Sequence, residues 1–199
     1  MKLKGVGVIL IAAGTAAAAE PNAAMTIRVV NSARMPGPVL TEGEKYAAQV
    51  LVPSGVHVIW QDCSAPAACP HEPAANEVWL HVANWKPAAG SERELGFTTL
   101  DPESLSGIGV TGVYYPMVRE TAAVLQVEET LVLAAALAHE IGHVLGAGHS
   151  PTGIMSPQLN RKSIVAMGLG GLFFASNQVA GIRAEAVRRT AASKASARP

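Results

Sequence analysis

Apolar and polar positions alternate with a period of two in several segments of this sequence, and four of these segments predict strands. They are rich in β-branched and aromatic residues, and they cover residues 25–31, 56–60, 77–84 and 110–120. In the last segment, Pro116 indicates an edge position or a bulge, because proline cannot donate a hydrogen bond to a strand ladder. Residues 86–109 are rich in turn-forming types and are expected to be irregular.

Three other segments carry the apolar spacing of helices. They cover residues 41–52, 127–146 and 175–189. The first begins with Thr41 three positions before Glu44, which is the spacing of a capping box. Positions 131–138 in the second are apolar on every side, and this indicates a helix that is buried all round rather than one lying on the surface.

The composition is that of a chain with a sizeable core and balanced charge. Of the 199 residues, 49% are hydrophobic and 15% are charged, so we expect a single domain. Lys plus Arg and Asp plus Glu number 15 each, whereas a nucleic-acid-binding protein needs a basic face. We therefore expect no nucleic-acid partner, and we expect a monomer.

Residues 1–19 differ from the rest of the chain and predict a signal peptide. A short basic start precedes an apolar run, and Ala17 to Ala19 before Glu20 fit an A-x-A cleavage site. The apolar run is shorter than the ~20 residues of a membrane span, although an uncleaved anchor is the alternative. Cleavage would release a secreted or periplasmic protein with no stable membrane insertion.

The two cysteines, Cys63 and Cys69, lie in a loop rich in proline and alanine. An exported protein meets an oxidising compartment, which favours a disulfide between them. The alternative is a second metal site that uses these thiols and His71, but the spacing matches no common zinc pattern. We therefore predict a Cys63–Cys69 disulfide.

The candidate chemistry lies in residues 139–155. His139 and His143 are four positions apart and share one helix face, where both imidazoles can reach one ion at about 2.0–2.1 Å. Glu140 is offset by ~100° around the helix and would lie beside the ion. Its carboxylate could take a proton from a metal-bound water and pass it to a leaving amine.

A third ligand follows from the way in which this helix would end. Gly146 can adopt the left-handed conformation that ends a helix, so the chain can turn and bring His149 back towards the other two histidines. Three protein ligands with a fourth position open to water are typical of catalytic zinc sites, and they predict amide hydrolysis without a covalent intermediate. The alternative is a helix end whose histidines are merely hydrogen-bonded.

With these residues in place, the sequence resembles the metzincin zinc peptidases. Residues 139–149 fit the family pattern H-E-x-x-H-x-x-G-x-x-H, and residues 153–155 resemble its Met-turn. Ser150 and the Met-Ser-Pro run that begins at Met155 are most similar to the matrixin branch. The resemblance implies that Met155 is a packed floor beneath the metal and not a ligand. It supports a single zinc ion held by His139, His143 and His149.

The resemblance also implies an α+β fold in two lobes, forming one catalytic domain over residues 20–199. The upper lobe, about residues 26–147, would have a twisted, mostly parallel sheet with a backing helix and the active-site helix. The lower lobe, about residues 148–190, would hold the Met-turn and the C-terminal helix. Polar residues 191–199 are expected to form a frayed tail.

These features together predict a secreted zinc-dependent endopeptidase that hydrolyses protein or peptide substrates, with Glu140 as general base and acid. A catalytically silent zinc-containing module that binds peptides is the alternative. Glu140 favours the enzyme, because a site that only holds metal does not need it. The substrate would extend along an edge strand, with residues 77–84 or 112–120 as the candidates. Side chains assigned to packing or to the surface are Tyr114, Tyr115, His57, His71 and His81, with a cleft-lining role as the alternative for the two tyrosines.

Overall fold

In a computed structural model of the chain, residues 23–65, 67–87, 94–101 and 108–196 are described. Over these residues, five strands form one sheet in the order β2-β1-β3-β5-β4. The strands are β1 (Ala23–Asn31), β2 (Val56–Asp62), β3 (Glu77–Ala83), β4 (Gly96–Leu100) and β5 (Ile108–Tyr114). Strand β4 pairs antiparallel with β5, and the other pairings are parallel. This mostly parallel sheet confirms the predicted fold class. The predicted signal peptide lies outside the described residues.

Five helices are described, and several of them pack against this sheet. They are α1 (Gly37–Leu51), α2 (Tyr115–Leu125), α3 (Glu129–Val144), α4 (Arg161–Gly168) and α5 (Ser176–Ser196). Helix α3 packs against α1 and α2 and against strands β4 and β5. Its apolar residues from Val132 to Ala138 are each at most 3% exposed and Leu131 is half-buried, which confirms the predicted all-round burial from Val132 onward.

The start of α1 differs from the prediction. The helix begins at Gly37 after Pro36, with no side-chain cap, and Thr41 therefore lies inside it. The predicted capping box is wrong at this position. Pro38 occupies the first turn, where a missing N–H costs no hydrogen bond and the fixed φ angle favours the helix, so proline marks this helix start.

Proline also marks the start of α2. Strand β5 ends at Tyr114, and Pro116 lies in the first turn of α2. The predicted edge position or bulge at Pro116 is therefore wrong, because the chain has already left the sheet. The segment expected to be irregular also contains an ordered strand, β4. Its alternation is only five residues long, which is too short to stand out among the neighbouring turn residues.

Helix α5 packs against the start of β1. The Thr190 hydroxyl donates to the Ala24 carbonyl, at 3.3 Å, and the buried Arg189 guanidinium donates to the Val144 carbonyl at the end of α3, also at 3.3 Å. The helix continues to Ser196, so it runs into the segment that was expected to fray. Among the described residues, no helix combines the length and the apolar character needed to cross a membrane.

The loop after β2 carries the predicted disulfide. Cys63 and Cys69 are bonded, with their Cα atoms 5.5 Å apart, which confirms the pairing. The Cys63 amide donates to the Val29 carbonyl at 2.8 Å, and the Asn31 amide donates to the Ser64 hydroxyl at 3.0 Å. The disulfide loop is therefore held at the end of β1.

Candidate metal centre and active site

Three histidines meet at the end of α3 and in the loop that follows it. Helix α3 places His139 and His143 one turn apart, with their Nε2 atoms 3.1 Å from each other. His149 approaches from the loop, and one ligand atom from each of the three side chains lies within 4.8 Å of the others. The structure therefore brings together the three residues that the spacing predicted as metal ligands.

The turn that returns His149 depends on Gly146, which adopts a left-handed φ of 79°. The Gly146 amide donates to the His143 carbonyl at 3.0 Å, and the Ala147 amide donates to the Gly142 carbonyl at 2.9 Å. These two bonds form a Schellman motif, which satisfies the last carbonyls of a helix and reverses the chain. A side chain at position 146 would be strained in this backbone conformation.

The hydrogen bonds of the two helical histidines define their tautomers. His139 Nδ1 lies 2.9 Å from the Ile154 carbonyl and His143 Nδ1 lies 2.8 Å from the Ala147 carbonyl. A carbonyl only accepts, so each Nδ1 carries a hydrogen and donates it. Each Nε2 of a neutral ring is then left with a lone pair that can bind a metal ion.

The two Nε2 lone pairs face each other, and this arrangement indicates whether a cation would be stable between the two rings. Burial lowers the pKa of His139 to about 4 and also lowers the pKa of His143, so both rings are neutral at pH 7. Two neutral acceptor nitrogens 3.1 Å apart cannot share a hydrogen bond, and a bound cation removes their repulsion. The residues present therefore fit a metal ion, and three imidazole ligands suit zinc.

A fourth residue, which the sequence analysis missed, holds the loop that carries His149. Gln178 in the first turn of α5 donates its side-chain amide hydrogen to the Gly148 carbonyl at 2.7 Å. His149 itself is exposed, whereas His139 and His143 are half-buried. The contact joins positions 30 residues apart, and no local pattern around Gln178 indicates it.

The segment predicted to be a Met-turn packs beneath α3. Met155 is fully buried, and its Sδ atom lies against Gly142, where a Cβ atom would collide with it. Gly153 has a left-handed φ of 78°, and the neighbouring Ile154 amide donates to the Phe173 carbonyl at 2.9 Å. The Ile154 carbonyl, in turn, orients His139, so this turn supports the metal centre directly.

Glu140 lies on the side of α3 that faces β4. The residue is 5% exposed, and the Thr98 hydroxyl donates to its Oε2 atom at 2.7 Å. Burial raises the pKa of Glu140 to about 7, the Thr98 hydrogen bond opposes this, and the Glu94 carboxylate adds to it. A carboxyl group with a pKa near 7 suits proton transfer in both directions at neutral pH.

Gly96 lets the Glu140 side chain lie against the strand. A Cβ atom at this position would be 2.7 Å from Glu140 Oε1 and 2.7 Å from the Gly112 carbonyl oxygen. Glycine is therefore required here for the close approach of helix and strand. The sequence did not predict site roles for Gly96 and Thr98, because β4 lies in the segment expected to be irregular.

These groups line one cleft with a volume of about 950 Å³. The three histidines and Glu140 lie on one side of it, and residues 94–98 lie on another. Apolar residues from α2, α3 and α4 and from the loop before α4 complete the lining, among them Leu125, Ala135, Leu159 and Ile164. The cleft thus combines a polar reactive group with apolar walls, as ligand sites commonly do.

The tyrosines and the other histidines lie elsewhere. Tyr114 packs against Phe97, with ring centroids 5.1 Å apart, and Tyr115 lies under Arg119, 6.0 Å from ring centroid to guanidinium carbon. Neither tyrosine is among the described residues that line the cleft, so both pack as predicted. His57 and His71 are exposed and His81 is half-buried, and none of them joins the three-histidine group.

The edge of the sheet beside the cleft is β4. Residues 77–84 were one candidate for this edge, but β3 lies between β1 and β5. Residues 112–120 were the other candidate, but β5 lies between β3 and β4, and the chain enters α2 at Tyr115. Both predictions of the edge strand are wrong, because β4, which pairs with the outer edge of β5, was not predicted from the sequence.

Comparison with solved structures places this fold. The chain is similar to archaemetzincin from Methanopyrus kandleri, with a TM-score of 0.51 and 15% identity over 81% of this chain and 94% of that protein. This likeness shows that the chain shares the fold of that protein. The chain also matches metalloproteinase-II from Bacteroides fragilis, with a TM-score of 0.49 and 14% identity over 85% of this chain and 55% of that protein. No protein-family model and no curated protein matches the sequence.

Proposed function

We propose that this chain is a zinc-dependent endopeptidase. The observation that carries the proposal is the cluster of His139, His143 and His149 in the same cleft as the buried carboxylate of Glu140. The fold supports it, because the similar structure of archaemetzincin is of a protein whose name marks it as a metzincin. A three-histidine group with an adjacent acid is what hydrolysis by an activated water requires.

His139 and His143 would hold zinc through their Nε2 atoms, as their Nδ1 hydrogen bonds favour, and His149 would supply a third ring nitrogen. Bound zinc would supply a Lewis acid that polarises the peptide carbonyl and makes a water molecule more acidic. Gly146 would turn the chain so that His149 reaches the ion, and Met155 would support the helix from below. The residues around the ligands would thus fix the orientation of the histidine rings, as the hydrogen-bond partners of metal ligands typically do.

Glu140 would act on protons within this cleft. As general base its carboxylate would take a proton from the attacking water, and as general acid it would give that proton to the leaving amine. The raised pKa of Glu140, about 7, is suited to both steps. The buried position keeps bulk water from competing for the proton.

The substrate would be a protein or peptide that extends along the edge of β4 with which no described strand pairs. One edge of β4 pairs with β5, and residues 94–98 line the cleft. An extended peptide can add to a sheet edge through main-chain hydrogen bonds. The cleft would then present the scissile bond between β4 and the three histidines.

The remaining features of the proposal come from the sequence. Residues 1–19 would direct export and be removed, which agrees with the Cys63–Cys69 disulfide. Ser150 and the Met-Ser-Pro run from Met155 would align the chain with the matrixin branch of the metzincins. The mature protein would be a secreted or periplasmic monomer.

Digestion of a mixed peptide library, with and without a chelator, tests the proposal. Zinc-loaded protein should cleave internal peptide bonds, and the chelator should abolish cleavage. Glu140→Gln keeps the shape of the side chain and all three histidines, so zinc content should remain near one equivalent. Its cleavage rate should fall by about 10²–10⁴-fold.

The same comparison separates an enzyme from a peptide-binding module. If the wild-type protein binds zinc but cleaves no peptide in the library, or if Glu140→Gln cleaves as fast as wild type, the proposed mechanism is wrong. A His57→Ala variant is the matched control, because that histidine is exposed and lies outside the cluster.

A further inference from the structure

Two threonines continue the hydrogen bonding of Glu140 into the sheet. Thr98 on β4 and Thr111 on β5 are direct partners in the antiparallel ladder. Their hydroxyl oxygens lie 2.7 Å apart, and the Thr111 hydroxyl is also 3.1 Å from the Phe97 carbonyl. A chain of contacts therefore runs from the Glu140 carboxyl group through two hydroxyl groups to a backbone carbonyl.

The depth of this chain distinguishes it from a chance surface contact. Thr111 is fully buried and Glu140 is 5% exposed. Buried hydroxyl and carboxyl groups need partners, because each lost partner costs free energy that water cannot restore. Thr98 also lies 3.4 Å from the backbone carbonyl of Glu140, so it meets both the side chain and the main chain of this residue.

We propose that Thr98 is the positioning residue for Glu140: it holds the carboxyl group against strand β4, with the buried Thr111 as its own partner. The inference rests on the proposed function of Glu140 as the proton-transfer group. Thr98 bonds Oε2 at 2.7 Å, and Oε1 has no hydrogen-bond donor among the described residues. One carboxyl oxygen is thus tied to the strand and the other is left for the water and the leaving group.

A hydroxyl suits this task because it can donate and accept. When Glu140 is a carboxylate, Thr98 donates to it and Thr111 can donate to Thr98. When Glu140 has taken the proton on Oε1, Oε2 is the carbonyl oxygen of the acid, so Thr98 still donates to it and Thr111 can still donate to Thr98. Every hydroxyl has a partner in both states, so the side chain keeps its position while the proton arrives and leaves.

The test replaces the Thr98 hydroxyl without changing the shape of the side chain. Thr98→Val in the zinc-loaded full chain should lower kcat by roughly 10- to 100-fold, the effect of losing one hydrogen bond to a charged group. KM for the best-cleaved peptide of the library should change by less than about twofold, because the backbone of β4 is unaltered. Thr98→Ser keeps a hydroxyl and should restore most of kcat.

A matched control lies one position along the same strand. The Thr99 hydroxyl donates to the Val110 carbonyl at 3.1 Å and is exposed, away from Glu140, so Thr99→Val should leave kcat near the wild-type value. Thr111→Val should lower kcat by less than Thr98→Val, because Thr98 can still donate to Glu140. It also serves as a second variant if Thr98→Val does not fold.

Thermal unfolding supplies a measurement that does not depend on activity. Thr98→Val and Glu140→Ala should each shift the melting temperature, and the double variant should shift it by less than the sum, because both remove one hydrogen bond. Zinc content should stay near one equivalent in all threonine variants. Additive shifts, or a Thr98→Val protein with wild-type kcat, would overturn the positioning role while leaving the proposed function intact. If the wild-type protein cleaves no peptide, the proposed function fails, and the melting cycle still decides whether Thr98 holds Glu140.

Discussion

The two walls of the cleft differ in how far apart in the sequence their contributing residues lie. On one wall, α3 and the turn at Gly146 carry all three histidines within eleven positions, 139–149. On the other wall, β4 contributes Gly96 and Thr98, and the contact from Thr98 to Glu140 spans 42 positions. The first wall supplies the atoms that would bind a metal. The second wall supplies the surface that orients the acid beside it.

The difference shows which parts of the site tolerate change. A histidine that binds a metal has no substitute among its neighbours, so the first wall depends on residue identity. The second wall depends on shape, because Gly96 must leave room for the Glu140 side chain and a hydroxyl must reach its Oε2 atom. Substitutions on each wall can therefore be used to test this division.

Removing a ligand from the first wall should have the largest effect. His143→Ala should bind less than about a tenth of an equivalent of zinc under conditions in which wild type holds close to one, because two imidazoles hold zinc far less tightly than three. Peptide cleavage should be lost with the metal. Metal analysis after dialysis checks this. If His143→Ala retained one equivalent of zinc, the metal would have to bind at another place in the protein.

Adding one methyl group to the second wall should separate metal binding from activity. A Cβ in Gly96→Ala would meet Glu140 and the Gly112 carbonyl at 2.7 Å, so helix and strand must move apart. We expect cleavage to fall by at least about 10-fold, since a misplacement of about 1 Å can cost 10²-fold in rate. Zinc content should remain near one equivalent.

Gly181→Ala is the matched control for that change. Position 181 lies inside α5, and a Cβ there would meet nothing within 4 Å. Alanine is favoured over glycine in a helix by about 0.5–1 kcal/mol, so the melting temperature should rise slightly while activity stays unchanged. Equal activity of the two alanine variants would contradict the role of Gly96.

The contact between Gln178 and the His149 loop should have a smaller effect on the first wall. Gln178→Ala removes the hydrogen bond to the Gly148 carbonyl but leaves all three histidines in place. Loss of one neutral hydrogen bond corresponds to about 0.5–1.5 kcal/mol, so zinc affinity should fall by roughly 2- to 12-fold. Competition with a chromogenic chelator measures this, and unchanged affinity would show that Gly146 and the helix end suffice to orient His149.

A second carboxyl group with a raised pKa lies outside the cleft and should affect stability alone. Burial, helped by the charge of Asp62, raises the pKa of Glu44 from 4.5 to about 7. Because the folded protein disfavours the ionised form, this group favours folding most below pH 4.5, and that contribution is lost as the pH rises towards 7.

Glu44→Gln should therefore raise the melting temperature at pH 8 and change it little at pH 4. Peptide cleavage at pH 8 should equal that of wild type, because Glu44 lies on α1, away from the described residues that line the cleft. Melting curves at the two pH values check the sign. A lower melting temperature at pH 8 would show that the Glu44 charge has a stabilising partner.

The metal-binding residues of the first wall could be predicted from the sequence, because their arrangement depends on short-range geometry. A helix places positions four apart on one face, and glycine permits the left-handed turn that brings His149 back. Both facts hold whatever surrounds the segment. The all-round apolar character of residues 131–138 in the same way predicted a buried helix, and the expected export to an oxidising compartment predicted the Cys63–Cys69 pairing.

The second wall depends instead on contacts between segments that are far apart in the sequence. Strand β4 is five residues long and lies in a segment rich in turn residues, so its local pattern carried little information. Thr98 faces Glu140 because β4 pairs antiparallel with β5 in a register that α3 covers, and that register is a long-range choice. Gln178 was missed for the same reason, whereas the start of α2 had a local signal in Pro116. A residue that acts through a partner many positions away leaves no periodic trace in its own neighbourhood.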